Sequence, residues 1–344
     1  MRIAVISTPV FAVGPSGLLG YGGLEHIAWL QAKGLAAKGH TILLAAPEGS
    51  SCPGCEIIGT GAAGTWDEKA FYGSYWQRLA DVDVVIDSSW QKWSYVGKEE
   101  GWLKAPVLGV CHAPVDTMYR QLPPVEKPCF VCISEDQAAH FTALFSRPVR
   151  VAYNGVDLDH YRSLGVPRTG RYLFLARFST IKGPSLCQDV CLAAGAELDL
   201  VGDTQITGEP EYLEQCRRKA DGRRIRIVGG VSRGETVHWY SRARAMLHLN
   251  KLFREPFGLA PVESQACSCP VIAWNHGAMR ETIKHGETGF LVTSMEEAID
   301  LIRRDAVVGI DRGRCREHVS QFSVQRMVNR YEELCHEAIQ TGGW

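Results

Sequence analysis

The amino-acid sequence predicts an α/β protein with two doubly wound, Rossmann-like halves. Short apolar runs alternate with helical patterns along most of the 344 residues. Nearly continuous apolar runs of this kind are typical of parallel strands that are buried on both faces of a sheet. The alternation pauses at a Gly/Pro/Arg segment, 165–170, and then starts again. We therefore expect one half at 1–160 and the other at 161–322.

The first half begins with a strand, RIAVIS, and a helix, LEHIAWLQAKGLAAKGH, that ends at Gly39. This helix carries apolar residues at helical spacing, and glycine is the usual residue after a helix end. Five further apolar runs predict strands, namely HTILLAA, DVDVVIDSS, PVLGVCHA, CFVCIS and VRVAYNG. A parallel sheet accounts for this series.

The second half repeats the same alternation. Its predicted strands are YLFLARF, LDLVGD, IRIVGGV, AMLHLN, CPVIAW and GFLV. Its predicted helices are PSLCQDVCLAAG, a segment through HWYSRARA, a helix after EPFGL, and AMRETIKHG. A last amphipathic segment, FSVQRMVNRYEELCHEAI, predicts a terminal helix.

Charge and hydropathy exclude several classes of protein. The 37 basic and 38 acidic residues nearly balance, so no general polyanion-binding field is expected, and a nucleic-acid acceptor is neither excluded nor indicated. No stretch of 18 consecutive apolar residues predicts a membrane-spanning helix. The apolar N-terminal run is short and interrupted by Pro9, unlike a secretory signal. We expect a cytoplasmic location, with peripheral membrane association as the open alternative.

Two pairs among the twelve cysteines have C-x-x-C spacing. Cys129 and Cys132 fall in a predicted strand, where positions three apart face opposite sides and do not chelate together. Cys52 and Cys55 fall in a Gly/Pro turn, where they can bind a metal ion or act as a redox pair. The chain offers no second pair placed to complete a zinc site, and we expect no metal.

Two glutamates mark the most informative segment, 250–292. Glu255 and Glu263 stand eight positions apart, with the sequence PFGLAPV between them. Pro256 is acceptable at the start of a helix, and Gly258 allows the backbone to approach a ligand closely. Backbone N–H groups around 257–259 would then face an anion at a helix N-terminus. This pattern predicts a phosphate site with an acid on either side.

The segment resembles the E-x7-E signature of family 4, group 1 glycosyltransferases, which are retaining enzymes that use nucleotide sugars. A G-x-x-x-E element, 277–281, and the sequence GETGFLV, 286–292, follow it as they do in that family. The resemblance implies a GT-B fold with its active site in the cleft between the two halves. It also implies an acceptor-side first half, completed by helix 323–340, and a donor-binding second half.

Two cations in LARFSTIKGP match another element of the same family, R-x4-K-G. Arg177 ends the predicted strand, and Lys182 precedes Gly183 and a helix. Two cations beside a helix N-terminus are suited to a pyrophosphate. The resemblance therefore gives Arg177 and Lys182 the role of stabilising the departing nucleoside diphosphate.

The first half supplies four further candidates. The sequence GLLGYGG, 17–23, lacks the spacing of a dinucleotide-binding fingerprint, which argues against a dehydrogenase. The resemblance instead places Gly22 and Gly23 in a loop near the donor phosphate and the acceptor. His112 ends a strand, where open parallel sheets bind ligands, and in the family such a histidine meets the donor sugar. Asp116 follows as a candidate for acceptor hydroxyls.

The resemblance implies a hexosyltransferase that uses a UDP- or GDP-hexose as co-substrate and no bound cofactor. Glu255 would hold a sugar hydroxyl and stabilise the transition state, and Glu263 would bind the ribose. Further contacts to the donor would come from Val231, at the nucleobase, and from Phe257, Gly258 and Leu259, at the diphosphate. No D-x-D motif stands in the matching places, which predicts metal-independent transfer. The acceptor would be a carbohydrate, a lipid-linked or a small-molecule hydroxyl.

Other functions remain open from the sequence. A GT-B epimerase or phosphorylase would use a similar anion site, and a non-catalytic nucleotide-binding module would share the fold. An epimerase would not need the glycines at 22 and 23. A module that only binds nucleotides would tolerate the loss of His112 and Glu255.

Overall fold

The computed structural model describes residues 1–14, 22–114, 126–204 and 209–344. These residues divide into two compact units. The first unit is Met1–Gly155 together with Phe322–Trp344, and the second is Val156–Gln321. The division therefore falls after Gly155 and not after residue 160, and the C-terminal segment belongs to the first unit.

The described part of the first unit contains one parallel sheet of seven strands. The strands are β1 (Arg2–Ile6), β2 (Thr41–Ala45), β3 (Cys55–Ile57), β4 (Val84–Asp87), β5 (Val107–Cys111), β6 (Phe130–Cys132) and β7 (Arg150–Val151). Their spatial order is β3-β2-β1-β4-β5-β6-β7.

The second unit contains one parallel sheet of six strands among its described residues. The strands are β8 (Tyr172–Leu175), β9 (Leu198–Val201), β10 (Ile225–Gly229), β11 (Met246–His248), β12 (Val271–Trp274) and β13 (Gly289–Val292). Their spatial order is β10-β9-β8-β11-β12-β13.

Helices connect the strands. Those of the first unit before the boundary are α1 (Gly23–Ala37), α2 (Glu68–Gly73), α3 (Trp93–Glu99) and α4 (Glu135–Phe145). Those of the second unit are α5 (Pro184–Ala194), α6 (Pro210–Lys219), α7 (Arg233–Arg242), α8 (Leu259–Ala266), α9 (Met279–Thr282), α10 (Met295–Arg303) and α11 (Arg312–Val319). The C-terminal helix, α12 (Val324–Thr341), packs against α1.

The apolar runs in the sequence become the buried strands. Ile3, Ala4 and Val5 follow one another along β1 and are all fully buried. Consecutive side chains of a strand point to opposite faces, so both faces of this sheet are covered. The predicted α/β class with two doubly wound sheets is confirmed.

Each sheet has one point where the strand order reverses. In the first unit this point lies between β1 and β4, and in the second between β8 and β11. Chain connections leave in opposite directions on either side of it, which opens a crevice at the carboxyl ends of the strands. Ligands of open α/β sheets bind in that crevice, so this edge of each unit is where functional side chains are expected.

Some elements differ from those predicted. AMRETIKHG forms helix only over Met279–Thr282, because the chain turns extended at Ile283. Cys129 has a positive φ of 44° and precedes β6 instead of lying in it. The edge strand β3 was not predicted, because its three residues are partly or fully exposed and form no apolar run. Among helices in the described ranges, none combines the length and apolar content needed to cross a membrane.

Candidate active site

An ion pair between Lys182 and Glu255 lies at the point of strand reversal in the second unit. Lys182 follows β8, and Glu255 follows β11, its neighbour in the sheet. Lys182 Nζ lies 2.7 Å from Glu255 Oε2. Asn250 Nδ2 donates to the same oxygen at 3.1 Å, and His248 Nε2 lies 3.5 Å from it. Two sequence motifs that are 73 residues apart therefore meet in one polar cluster.

The cluster keeps Glu255 ionised although it is largely buried. Its side chain is 12% exposed and that of Lys182 is 17% exposed. Burial by itself raises the pKa of a carboxyl, but the charge of Lys182 and the contact with His248 outweigh burial, so the pKa of Glu255 falls well below its usual value. The site therefore holds a fixed negative charge beside a positive charge.

The position of Lys182 depends on the turn that follows β8. A short 3₁₀ helix, Thr180–Lys182, leads into Gly183, which is the N-cap residue of α5 and has a φ of +69°. A Cβ atom at Gly183 would lie 2.8 Å from the carbonyl oxygen of Leu249, just after β11. Glycine is required here both for its φ and for this close approach. The Lys182 ammonium also lies 4.9 Å from the centre of the Phe253 ring.

The backbone of Glu255 is fixed by the turn after β12. The N–H group of Ala278 donates to the carbonyl oxygen of Glu255 at 3.0 Å. Gly277 precedes it with a φ of +60°, and a Cβ atom there would lie 2.6 Å from the same oxygen. Gly277, the first residue of the G-x-x-x-E element, thus lets this turn pack directly on the backbone of Glu255.

Glu263 is held in a second polar cluster on α8. Its Oε1 lies 3.3 Å from an Arg233 guanidinium nitrogen, and its Oε2 accepts a hydrogen bond of 3.0 Å from the Tyr240 hydroxyl. Arg233 also donates to Tyr161 Oη at 3.1 Å. Burial, followed by the charge of Glu263, raises the pKa of Tyr240, so the phenol keeps its proton and donates it. Each carboxylate oxygen retains accepting capacity, because a carboxylate has about four lone-pair sites.

The start of α8 has the geometry of an anion site. Gly258 is its N-cap residue in the left-handed conformation, Leu259 is the first helical residue, and Phe257 is buried. The first N–H groups of a helix have no carbonyl partner one turn earlier, so they can donate to an anion. Pro256 precedes this helix, and Pro261 lies in its first turn.

Arg177 and Val231 lie at the same edge of the second sheet. Arg177 stands two residues after the end of β8 and is partly buried. Val231 stands two residues after the end of β10 and precedes Ser232, which caps α7 in a reciprocal capping box with Glu235. Because the strands are parallel, all their carboxyl ends share one edge. The structure therefore places both residues at the edge of the sheet where Lys182 also lies.

In the first unit, Gly22 and Gly23 begin α1. Gly22 is the N-cap residue with a φ of +97°, and Gly23 is the first helical residue. Glu25, in the first turn, accepts a hydrogen bond from the hydroxyl of Thr8, which follows β1. Burial raises the pKa of Glu25. This buried acid at the carboxyl end of β1 was not among the residues predicted from the sequence.

His112 follows β5 at the carboxyl edge of the first sheet. Its Nε2 atom is buried and has no hydrogen-bond partner among the described residues. Burial, followed by the positive charge of Lys92, lowers the pKa of His112 to about 3. The imidazole is therefore neutral near pH 7 and available as a donor or acceptor. Asp116, the acceptor-side candidate, lies outside the described residues.

A small pocket lies at the point of strand reversal of the first unit. Ser7 and Asp87, at the ends of β1 and β4, line it together with Glu68 and Tyr72. Both Glu68 oxygens accept backbone N–H groups, and Asp87 accepts hydrogen bonds from Ser89. The carboxylates of this pocket are thus engaged by the protein itself.

The cysteines form no metal cluster in the described part of the chain, where no group of three His, Cys, Asp or Glu side chains is placed to bind a metal ion. The Cys129 thiol donates to the Lys127 carbonyl oxygen, whereas the Cys132 side chain meets that of Cys111 on β5. The Sγ atoms of Cys52 and Cys55 lie 3.0 Å apart.

Two sequence models of known families match the chain. The model described as glycosyltransferase family 4 matches residues 21–160. The model described as glycosyl transferases group 1 matches residues 167–305, which include the Lys182 and Glu255 cluster. The chain belongs to the family 4, group 1 glycosyltransferases. The family predicted from the sequence motifs is confirmed.

Individual proteins show the same likeness. D-inositol 3-phosphate glycosyltransferase 2 of Catenulispora acidiphila is 31% identical over 164 residues, which are 40% of this chain and 37% of that protein. D-inositol 3-phosphate glycosyltransferase 1 of the same organism is 26% identical over 243 residues, which are 62% of this chain and 58% of that protein. The chain thus spans between about a third and three fifths of the length of the curated relatives it matches.

Solved structures match over almost the whole chain. AviGT4, a glycosyltransferase involved in avilamycin A biosynthesis, has a TM-score of 0.74 at 22% identity, covering 99% of this chain and 98% of its own. Anabaena HepE in complex with UDP-glucose has a TM-score of 0.74 at 18% identity, covering 98% of this chain and 100% of its own. The predicted GT-B fold is confirmed.

Four side chains of the two clusters in this glycosyltransferase were not predicted from the sequence. His248 and Asn250 hold Glu255, and Arg233 and Tyr240 hold Glu263. The one signal for the first two is a pair of polar residues at the end of the apolar run AMLHLN. Arg233 and Tyr240 lie on the preceding helix, and no spacing rule links them to Glu263.

The balance of charges around Glu255 predicts the effect of removing its cation. Lys182→Met leaves the carboxyl largely buried without its main positive neighbour, so the pKa of Glu255 should rise. Carbon NMR of a glutamate-labelled chain, with the signal assigned by Glu255→Gln, measures this change. Lys251→Met removes an exposed cation that lies over Trp274 and should leave the pKa unchanged. An equal pKa of Glu255 in the unchanged chain and in both lysine variants would contradict the ion pair.

Proposed function

We propose that this chain is a retaining hexosyltransferase that moves a sugar from a nucleotide diphosphate sugar to an acceptor hydroxyl without a metal ion. Membership of the family supports glycosyl transfer from such donors. The pairing of Lys182 with Glu255 at the point of strand reversal carries the proposal for the reaction centre. It joins the R-x4-K-G and E-x7-E elements in one place, shortly before α8 begins at Leu259.

The chemistry requires positive charge where the nucleoside diphosphate leaves. Arg177, Lys182 and the first N–H groups of α8 would supply it without a cation from solution. Lys182 has three N–H donors, so it can bind a diphosphate oxygen while it stays close to Glu255. The side-chain contacts of Glu255 with the described residues fall on Oε2. Its Oε1 atom would contact a sugar hydroxyl, and its charge would stabilise the positive charge that develops on the sugar ring.

The donor proposal rests on the relatives. HepE has been solved with UDP-glucose, which makes a UDP-hexose the first donor to test. Glu263 would bind the ribose, and Val231 would contact the base through its backbone. Several relatives are named D-inositol 3-phosphate glycosyltransferases, so polyols and their phosphates are the first acceptors to test.

One experiment tests the reaction type. The full chain is incubated with UDP-glucose, a panel of polyol acceptors and excess chelator, and the product is examined by NMR. We expect transfer to continue and the anomeric configuration of the donor to be kept. An inverted product would refute retention, and activity that returns only with added magnesium would refute metal independence. A module that only binds nucleotides would yield no product in either condition.

The two cations should each be important for turnover. Arg177→Ala and Lys182→Ala remove charge that opposes the negative charge growing on the diphosphate. A loss of about 2 to 4 kcal/mol of transition-state stabilisation is expected, which lowers kcat roughly 30-fold to 900-fold. Steady-state kinetics measures it, and circular dichroism confirms that the variants are folded. Lys251→Ala is the matched control, with near-normal kcat. Normal turnover in both site variants would contradict the assignment of Arg177 and Lys182 to the diphosphate.

The two glutamates should have different effects. Glu263→Gln should weaken binding of UDP, because it removes the charge proposed to hold the ribose. Glu255→Gln should leave UDP affinity nearly unchanged and lower kcat, because its contact strengthens in the transition state. Calorimetry with UDP and steady-state kinetics separate these effects. Tyr240→Phe is the control for Glu263, since it deletes one hydrogen bond but keeps the carboxylate. Equal losses of UDP affinity in both glutamate variants would contradict the assignment.

A further inference from the structure

We propose that Cys52 and Cys55 form a redox-active dithiol that closes to an intrachain disulfide when it reacts with a low-molecular-weight disulfide such as oxidised glutathione. The two sulfur atoms lie 3.0 Å apart in the turn Cys52-Pro-Gly-Cys55. This site is in the first unit and is separate from the proposed transfer reaction.

The turn brings the thiols together before any oxidation. The N–H group of Cys55 donates to the carbonyl oxygen of Cys52 at 3.2 Å, and Gly54 takes a φ of +76°. The sulfur atoms of a disulfide are about 2 Å apart, so closure shortens the present distance by only about one ångström. A side-chain rotation supplies that movement without a change of fold.

The chain before Cys52 is held in place. The N–H group of Ser51 donates to the Val13 carbonyl oxygen at 2.8 Å, and Trp29 Nε1 donates to the Ser51 carbonyl oxygen at 3.1 Å. Cys55 begins the edge strand β3 and is fixed by pairing with β2. Both ends of the turn are thus anchored, which keeps the two thiols close.

The two thiols differ in exposure and acidity. Cys52 is 8% exposed, whereas Cys55 is partly exposed beside the exposed Pro53 and Gly54. The hydrogen bond between the sulfurs lowers the pKa of Cys55 and raises the pKa of Cys52, and burial raises the latter further. Thiolates attack disulfides, so Cys55 is the residue that reacts first.

The reaction proceeds in two exchange steps. The Cys55 thiolate attacks one sulfur of oxidised glutathione, which forms a mixed disulfide and releases one glutathione thiolate. The Cys55 thiolate then no longer raises the pKa of Cys52, and the positive charge of Lys33 favours the Cys52 thiolate. Cys52 loses its proton, its sulfur attacks Cys55 Sγ, and the second glutathione thiolate leaves. The protein loses two electrons, and oxidised glutathione gains them.

A metal site explains the closeness of Cys52 and Cys55 less well than a redox-active dithiol does. Zinc needs about four ligands, and the described residues offer no group of three that includes these thiols.

A second thiol pair serves as an internal control. Cys111 and Cys132 face each other across β5 and β6, and both are fully buried. Because both of these thiols are buried, oxidised glutathione should not reach them. The pair should therefore stay reduced although the two residues are neighbours.

The test is a redox titration of the full chain. The protein is equilibrated with mixtures of reduced and oxidised glutathione, alkylated, digested and analysed by mass spectrometry. We expect one disulfide, between Cys52 and Cys55, that forms as the fraction of oxidised glutathione rises and is lost on adding dithiothreitol. Cys111 and Cys132 should remain alkylatable after unfolding. Failure of the Cys52–Cys55 disulfide to form, or its formation only together with Cys111–Cys132, would overturn the proposal. Retention of one zinc ion per chain on these thiols would also overturn it.

Two variants test the order of attack. Cys52→Ser should accumulate a glutathione mixed disulfide on Cys55, because no second thiol resolves it. Cys55→Ser should react much more slowly, because Cys52 is buried. Faster glutathione attachment in Cys55→Ser than in Cys52→Ser would overturn the assignment of Cys55 as the attacking residue.

Discussion

The contact between Lys182 and Glu255 depends on the order of strands in the second sheet. The two residues follow β8 and β11. After β10 the chain crosses back past β9 and β8, and β11 is added on the other side of β8, which makes β8 and β11 neighbours. A helical connection on either side of this point leaves the crevice open at the carboxyl edge. The ion pair is thus a local result of the topology, and the other residues proposed for the donor in this unit lie along the same edge.

Placing this ion pair in a largely buried position constrains the backbone around it. A buried carboxylate needs hydrogen bonds and an opposite charge, since an unpaired one is costly. Lys182 and Asn250 supply them, and both must come close to Glu255. Gly183 and Gly277 permit the necessary approach of neighbouring chain segments, with φ values that other residues rarely adopt. The glycines of the two motifs therefore allow the close backbone packing around the acid.

The sequence predicts the strands well because buried parallel strands must be apolar, as β1 and β12 show. It also identifies Lys182 and Glu255, because their motifs are compact. It does not predict which side chains complete each cluster. His248 reaches Glu255 from a strand end, and Arg233 reaches Glu263 from another helix. Such contacts are set by tertiary packing, which no short spacing in the sequence encodes.

The two glutamates are held in different ways, and this difference fits different tasks. Glu263 has a guanidinium on one oxygen and a phenol on the other, so its position is fixed from two sides. A fixed acceptor suits a part of the donor that does not change during the reaction, such as a ribose. Lys182, Asn250 and His248 all approach Oε2 of Glu255, and its main cation is a lysine on a flexible stem. In the proposed reaction, Lys182 would follow the departing diphosphate, and Glu255 would stay beside the sugar.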